Sequence, residues 1–248
     1  MITGASGGLG SAIATDLAGR GAELVLTARR ASVLEDLVAR TGGEVVVADL
    51  ADRSDLVRLC NMLDDIDVLV ANAGVGGDSA LAESTPDEID FAIDVNLRAP
   101  VILATEFAQR RSSAGRGGQV VMVGSLSGLV ATPNTRMYNA TKFGLRGFTL
   151  SLRQDAAEVG IGVTHLAPGF INTAGMFADN GAELPGFVRT KAPEDVAAGV
   201  RKAIESNPAE VFVAPAELRA SATLGAIAPG LSEAIQRRMG AAEIARQR

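Results

Sequence analysis

Short apolar runs alternate with longer stretches of helical periodicity along most of this chain. Runs rich in valine and leucine stand at residues 23–27, 44–48, 67–71, 119–124, 161–167 and 210–214. Apolar runs without polar alternation belong to strands buried on both faces, as in a parallel sheet. Between them apolar residues recur at helical intervals, as in Ala12, Ile13, Leu17 and Ala18, or Leu56, Leu59, Cys60 and Leu63. A further helix is predicted from Met137, Ala140, Leu145, Phe148 and Leu152. Helix starts are marked at Thr85-Pro86, with Glu88 three residues beyond the cap, and again at Pro193-Glu194-Asp195. Strand and helix in alternation predict an α/β fold, a doubly wound parallel sheet with helices on both faces. At 248 residues and 47% hydrophobic content the chain can bury one substantial core, so residues 1–248 are expected to form a single domain.

The N-terminus is rich in glycine. TGASGGLG, residues 3–10, runs into the helical pattern of Ala12 to Ala18, with Gly4, Gly8 and Gly10 as anchors and Ser6 and Leu9 between them. Glycines ahead of a helix let the backbone approach a pyrophosphate, whose charge is stabilised by free N–H groups and the helix dipole. The spacing is Thr-Gly-x-x-x-Gly-x-Gly rather than GxGxxG. Two more positions fit a dinucleotide. Asp49 ends the third strand, where it could bond an adenine or cap the next helix. Arg29-Arg30 follows the second strand, where an NAD-preferring protein would place an acidic residue for the ribose hydroxyls. Guanidinium groups there favour a 2′-phosphate, pointing to NADP over NAD.

Tyr138 is the one tyrosine and stands four residues before Lys142, one of three lysines with Lys191 and Lys202. A four-residue step places both side chains on one helix face, bringing phenol and ammonium together. A cation beside a phenol favours the phenolate and makes the hydroxyl a usable proton donor and acceptor near neutrality. Ser125 lies just past the strand at residues 119–123, where ligands bind in open α/β sheets; its other reading is a turn or capping serine.

Taken in order, TGASGGLG, Asp49-Leu50, Asn72-Ala73-Gly74, Asn96, Ser125, Tyr138 with Lys142, and Pro168-Gly169 with Thr173 resemble the motifs of the short-chain dehydrogenase/reductase family, in its shorter single-domain form. The resemblance covers essentially the whole chain and implies a Rossmann-like fold and a nicotinamide-dependent oxidoreductase. It implies that Tyr138 is the acid/base, that Ser125 orients the carbonyl oxygen, and that Lys142 lowers the phenol pKa and holds the nicotinamide ribose. Asn96 would hold a proton-relay water; without the resemblance it reads as a polar residue within a long helix. Asn72, Ala73 and Gly74 would lie against the cofactor, with Pro168, Ile171 and Thr173 around the carboxamide. In one respect the chain departs from the family, since only Met1 and Ile2 precede Thr3 and the first strand is nearly absent. A strand of five or six residues is the norm, so central ladder bonds are expected to go unmade and a longer N-terminus to stabilise the chain.

Charge and inventory narrow the function. The net charge of −6, with basic residues dispersed, argues against nucleic acid binding. The single cysteine, Cys60, reads as a small core residue and suits a cytoplasmic setting. One histidine, His165, cannot build a metal site or a Ser-His-Asp triad alone. No apolar run is long enough for a transmembrane helix. Residues 174–190 are expected to form a substrate lid, and residues 216–248 a helical tail broken at Pro229-Gly230, packed on the protein's own surface, at a subunit interface or against a membrane surface. The expected protein is a homodimer or homotetramer acting on a small carbonyl or alcohol. A catalytically silent dinucleotide sensor and a sugar-nucleotide epimerase or dehydratase are the alternatives.

Overall fold

Valine-rich runs form the sheet because its central strands are covered on both faces, while the edge strand Glu44–Val47 stays partly exposed. The computed structural model describes residues 1–76, 84–172 and 189–238. Seven parallel strands lie in the order β3-β2-β1-β4-β5-β6-β7, the doubly wound arrangement. The strands are β1 (Ile2–Thr3), β2 (Val25–Ala28), β3 (Glu44–Val47), β4 (Val68–Ala71), β5 (Gly118–Val123), β6 (Ile161–Pro168) and β7 (Glu210–Val213). The helices are α1 (Gly8–Ala18), α2 (Ala31–Thr41), α3 (Arg53–Cys60), α4 (Pro86–Ile93), α5 (Ala99–Ser113), α6 (Arg136–Ala157), α7 (Pro193–Ser206), α8 (Ala216–Ile227) and α9 (Pro229–Arg238). Boundaries differ from the sequence expectation by a residue or two. Pro168 closes β6 rather than following it.

The two faces of the sheet carry separate cores. Along β5, Val120 and Met122 join Leu59, Leu103, Phe107 and Leu145 of α3, α5 and α6. Val121 and Val123 join Ile13, Leu34 and Val200 of α1, α2 and α7. Each large side chain buried this way stabilises the fold by about 1.5–3 kcal/mol. Cys60 is buried in the first core, as its periodicity predicted. Thr85 and Glu88 form the expected reciprocal cap on α4. At α7 the Asp195 carboxylate accepts from the Ala192 N–H at 3.0 Å, and Pro193 opens the first turn.

The short β1 is stitched in more fully than the sequence suggested. Ile2 pairs with both Leu26 and Val70. The Met1 amine donates to the Val68 carbonyl at 2.8 Å, and the Val70 N–H donates to the Met1 carbonyl at 2.9 Å. Ala5 N–H extends the ladder to the Thr27 carbonyl at 3.1 Å.

Most of the predicted apolar stripe of α6 does face the core, with Leu145 buried and Phe148 and Leu152 packed against it, but polar residues share that face and one stripe residue leaves it. Ala140 is exposed, while Asn139, Thr141, Lys142, Leu145 and Thr149 are buried. Polar side chains take the sheet-facing side because they have partners there. The tail breaks at Ala228 and resumes at Pro229. It packs on the protein's own surface: Ala222 meets Leu126 and Leu129, and Gln236 Nε2 donates to the Ala131 carbonyl at 3.1 Å. Ile227 and Leu231 of its apolar part face outward. Residues 239–248, with Arg246 and Arg248, lie outside the described residues.

Candidate active site

The glycine loop is built by backbone against backbone. Gly4 has φ +66°, a conformation natural to glycine, and a Cβ there would stand 2.7 Å from the Ala73 Cα. A Cβ on Gly10 would overlap the Gly4 carbonyl oxygen and come within 2.7 Å of the Ala5 Cα. Thr3 and Asn72 lock the contact. Thr3 Oγ1 accepts from the Asn72 and Ala73 N–H groups at 3.1 and 3.0 Å. Asn72 Nδ2 donates to the Thr3 and Gly4 carbonyls at 3.0 and 3.3 Å. Helix α1 starts at Gly8 with no side-chain cap and no acidic residue in its first turn. Its first N–H groups, including those of Gly8 and Leu9, therefore have no intrahelical partner, which suits a phosphate.

Past β2, the Arg30 guanidinium donates to the Ser6 carbonyl at 3.1 Å and Arg29 lies 5.9 Å from the centre of the Phe91 ring. Both arginines are exposed beside the glycine loop. Asp49 is not the cap of α3. Its Oδ1 accepts from the Ala51 N–H at 3.0 Å within its own turn, and Asp52 caps the helix through the Ser54 and Asp55 N–H groups. Leu50 is buried beneath.

The second half of the site is a cluster of side chains at the carboxyl ends of β4 and β5. Lys142 is 3% exposed, donates from Nζ to the Val123 carbonyl at 3.0 Å, and stands 5.6 Å from the centre of the Tyr138 ring. The latter is cation–π distance. Burial pushes the Lys142 ammonium down from 10.5 to about 8. Asn96 sits in a π-helical turn, Asp94–Arg98, that joins α4 to α5. Such turns recur at functional sites because they turn a side chain out of the helical register. The Asn96 amide accepts from the Val75 N–H at 2.7 Å and donates to the Val75 carbonyl at 2.8 Å and to Thr141 Oγ1 at 3.3 Å. A Cβ on Gly74 would stand 3.3 Å from Asn96 Oδ1 and 3.6 Å from Lys142 Nζ, so both polar groups converge on that glycine.

Ser125 follows β5 and caps a short 3₁₀ turn, Leu126–Gly128, its Oγ accepting from the Ser127 N–H at 3.1 Å. The capping and ligand-facing readings are compatible, since an accepting hydroxyl keeps its hydrogen to donate. Ile171 is buried and forms a bridge with Lys191, and the Asn172 N–H donates to the Lys191 carbonyl at 2.9 Å. Thr173 and residues 174–188 of the expected lid lie outside the described residues.

Several residues at the site had not been singled out from the sequence. Asn139, beside Tyr138, donates to the Ser127 and Val130 carbonyls at 2.8 and 2.9 Å and accepts from the Thr132 N–H at 3.2 Å. It ties the loop after Ser125 to α6. Thr3 and Thr141 brace Ala73 and Asn96 in the same manner. A polar residue adjacent to the tyrosine, on a helix otherwise packed on the sheet, was the available signal for Asn139.

A 3-2-1-4-5-6-7 parallel sheet with a glycine cradle at β1 and a buried lysine beneath a tyrosine past β5 defines a dinucleotide-dependent oxidoreductase class of protein. Comparison with known proteins gives the family: short chain dehydrogenase matches residues 1–184, and the chain belongs to that family. It is 35% identical over 175 residues to the 3-oxoacyl-(acyl-carrier-protein) reductase FabG of Rickettsia conorii, spanning 70% of this chain and 72% of that one. Among solved structures it resembles a short-chain dehydrogenase from Sphingobium yanoikuyae in complex with NADPH, with TM-score 0.79, 26% identity and coverage of 96% and 93%. It also resembles the bulky-bulky ketone specific alcohol dehydrogenase from Comamonas testosteroni, with TM-score 0.76, 26% identity and coverage of 96% and 91%. No helix among the described residues is long and apolar enough to cross a membrane.

Proposed function

We propose that this chain is an NADP-preferring carbonyl reductase or alcohol dehydrogenase, with Tyr138 as its acid/base. The observation that carries the reading is the buried Lys142 ammonium, held by the Val123 carbonyl, 5.6 Å from the centre of the Tyr138 ring and converging with Asn96 on Gly74. A buried ammonium costs stability, a cost that a role in the reaction would explain. When bound, a nicotinamide dinucleotide supplies or takes the hydride. Gly4, Ser6, Gly8, Leu9 and Gly10 would hold its pyrophosphate, and the tight backbone packing at Gly4 and Gly10 fits that role. Asp49, Leu50, Asn72, Ala73 and Gly74 would border the adenosine side, and Pro168, Ile171 and Thr173 the nicotinamide.

In the reducing direction Ser125 Oγ donates to the carbonyl oxygen and steadies the charge that develops there. Tyr138 gives its phenolic proton to that oxygen. Lys142 places positive charge beside the phenol and can hold a ribose hydroxyl with its remaining N–H donors. Asn96 keeps the Val75 turn open to a relay water. Arg29, and Arg30 beside it, would pair with a 2′-phosphate, and the NADPH-bound neighbour supports that preference. We further propose a cytoplasmic homodimer or homotetramer formed from a single domain. The exposed Phe143 on α6 and Ile227, Leu231 and Ile235 on the tail support the assembly.

The test is loss of NADPH absorbance with a panel of ketones and aldehydes, including a 3-oxoacyl thioester and bulky ketones, in wild type and Tyr138→Phe. Turnover lowered by about 10²–10⁴-fold in Tyr138→Phe is expected. Cofactor binding with no turnover across the panel would favour the silent sensor, and a product of unchanged oxidation state the epimerase.

A further inference from the structure

A second buried polar cluster lies under the active site, and the reaction proposed above does not use it. His165 is fully buried on β6, paired across the sheet with Met122 on one side and Glu210 on the other. Its Nδ1 lies 3.2 Å from Glu210 Oε1. Arg146, one helical turn beyond Lys142, grips both Glu210 oxygens at 2.8 and 2.9 Å. Bonding to His165 and Arg146 holds the Glu210 carboxyl down at about 2. An ionised carboxylate only accepts, so the imidazole proton sits on Nδ1 and Nε2 is left with a bare lone pair. Burial lowers the His165 pKa against the pull of Glu210 and so favours the neutral ring. Nε2 has no hydrogen-bond partner.

What Nε2 faces is Gly124. A Cβ built on Gly124 would overlap Nε2 and stand 2.9 Å from both Cδ2 and Cε1 of the ring. The α-hydrogen that takes the place of that Cβ points at the lone pair, a weak C–H contact. Gly124 is the link between two working parts. On one side is Val123, whose carbonyl holds Lys142 Nζ; on the other is Ser125. Its own N–H donates to the Leu166 carbonyl at 2.7 Å.

We propose that His165 is a positioning residue for Ser125: braced by Glu210 and Arg146, its ring supports Gly124 from beneath and fixes where the serine hydroxyl stands relative to Lys142 and Tyr138. This role rests on the oxidoreductase reading. The charged groups facing the ring are Glu210 from β7 and Arg146 and Lys142 from α6. The Lys142 and Arg146 charges add to burial in opposing an imidazolium, while Glu210 favours it.

The size of the pair is the handle for a test. His165→Asn keeps a donor toward Glu210 but removes the ring atoms that face Gly124, and Gly124→Ala forces a methyl into them. A displacement of a reacting group by a fraction of an ångström is expected to lower kcat by about tenfold in each single variant, with KM for NADPH within about twofold. In Gly124→Ala/His165→Asn the methyl occupies the vacated space, and most of the kcat lost in Gly124→Ala returns, a non-additivity expected only of neighbours. Because the chain has one histidine, nitrogen-15 NMR of the labelled ring reads its state directly. A neutral Nδ1–H tautomer with a bare Nε2 is expected at pH 7.

Wild-type kcat in His165→Asn alongside a lowered Tm would make His165 a packing residue only and overturn the proposal. So would a double variant no faster than Gly124→Ala, or an imidazolium at pH 7. Failure of the underlying reading looks different. In that case wild type itself shows no Tyr138-dependent turnover, and the positioning role falls with it.

Discussion

The two halves of this site are built from different materials. Around β1 and α1 the cradle is backbone: glycines at 4 and 10, closed by Thr3 and Asn72, on a strand of two residues. Around β5 and β6, strands of six and eight residues, the work falls to side chains drawn from α6 and the π turn before α5. The first half is defined by space left empty, the second by charge and hydroxyl groups brought into buried positions. They should therefore fail differently. Filling space in the first half should damage cofactor binding, and deleting the Tyr138 hydroxyl in the second should damage chemistry.

The sharpest break is expected in the second half. Tyr138→Phe removes one oxygen from a half-buried ring and is expected to lower kcat/KM by about 10²–10⁴-fold, the usual worth of a positioned acid/base. Tm and the NADPH dissociation constant should stay close to wild type by calorimetry and fluorescence titration. The matching change in the first half is Gly10→Ala. Its methyl group has nowhere to go between the Gly4 carbonyl and the Ala5 Cα, so the loop must open. We expect NADPH affinity to fall by about 10–100-fold, corresponding to about 1.4–2.8 kcal/mol, with turnover at saturating cofactor much less affected. Equal loss of kcat in both variants would erase the distinction between the halves.

That difference also governs what the sequence made legible. Strands buried on both faces are largely apolar, so β2, β4, β5 and β6 stand out in the chain, and glycines forced by close backbone approach mark the cradle at Gly4 and Gly10. Lys142 and Tyr138 were visible through the four-residue step. Interactions between residues distant in sequence were not. The Gly124–His165 contact joins two strands, and neither residue carries a pattern of its own. The π turn at Asn96 adds a residue to a helix whose polar and apolar order looks ordinary. On α6 the apolar periodicity gave the core side through Leu145, Phe148 and Leu152 but missed that Asn139 and Lys142 share it, having partners there, while Ala140 stands in solvent. Asp49 and Asp52 are both acidic residues ahead of a helix, and only geometry distinguishes the cap from the turn.

A smaller effect tests the margin of the cradle. Arg30 stands exposed with its guanidinium on the Ser6 carbonyl, and Arg29, also exposed, lies against the Phe91 ring, so the proposed 2′-phosphate would meet them without rearranging a core. A charged hydrogen bond is worth about 1.5–3 kcal/mol, reduced by solvent at such a position. Arg29→Ala and Arg30→Ala are each expected to weaken NADPH by about fivefold to tenfold and leave NADH unchanged. Parallel titrations with the two cofactors check this. An equal loss for both would show that the arginines shape the loop rather than select the phosphate.

The smallest effect concerns stability and inverts the usual direction. Lys142 costs the folded state because its ammonium is buried, with its pKa lowered from 10.5 to about 8. The folded pKa lies below the unfolded one, so the unfolded chain binds the proton more tightly and stability rises with pH between the two values. Below pH 8 the penalty is fully present; from pH 8 to 10.5 it is progressively relieved. Lys142→Met removes the charge and keeps the length, at the loss of one donor to the Val123 carbonyl. After that loss the variant is expected to be more stable than wild type by about 1–2 kcal/mol at pH 7, raising Tm by about 2–6 °C, while carbonyl reduction is abolished. The gap in Tm should close as pH approaches 10. A variant less stable than wild type at pH 7, or a gap independent of pH, would mean that the ammonium is compensated in the folded chain. Lys142 would then be a structural cation rather than a charge kept at a cost for the chemistry of Tyr138.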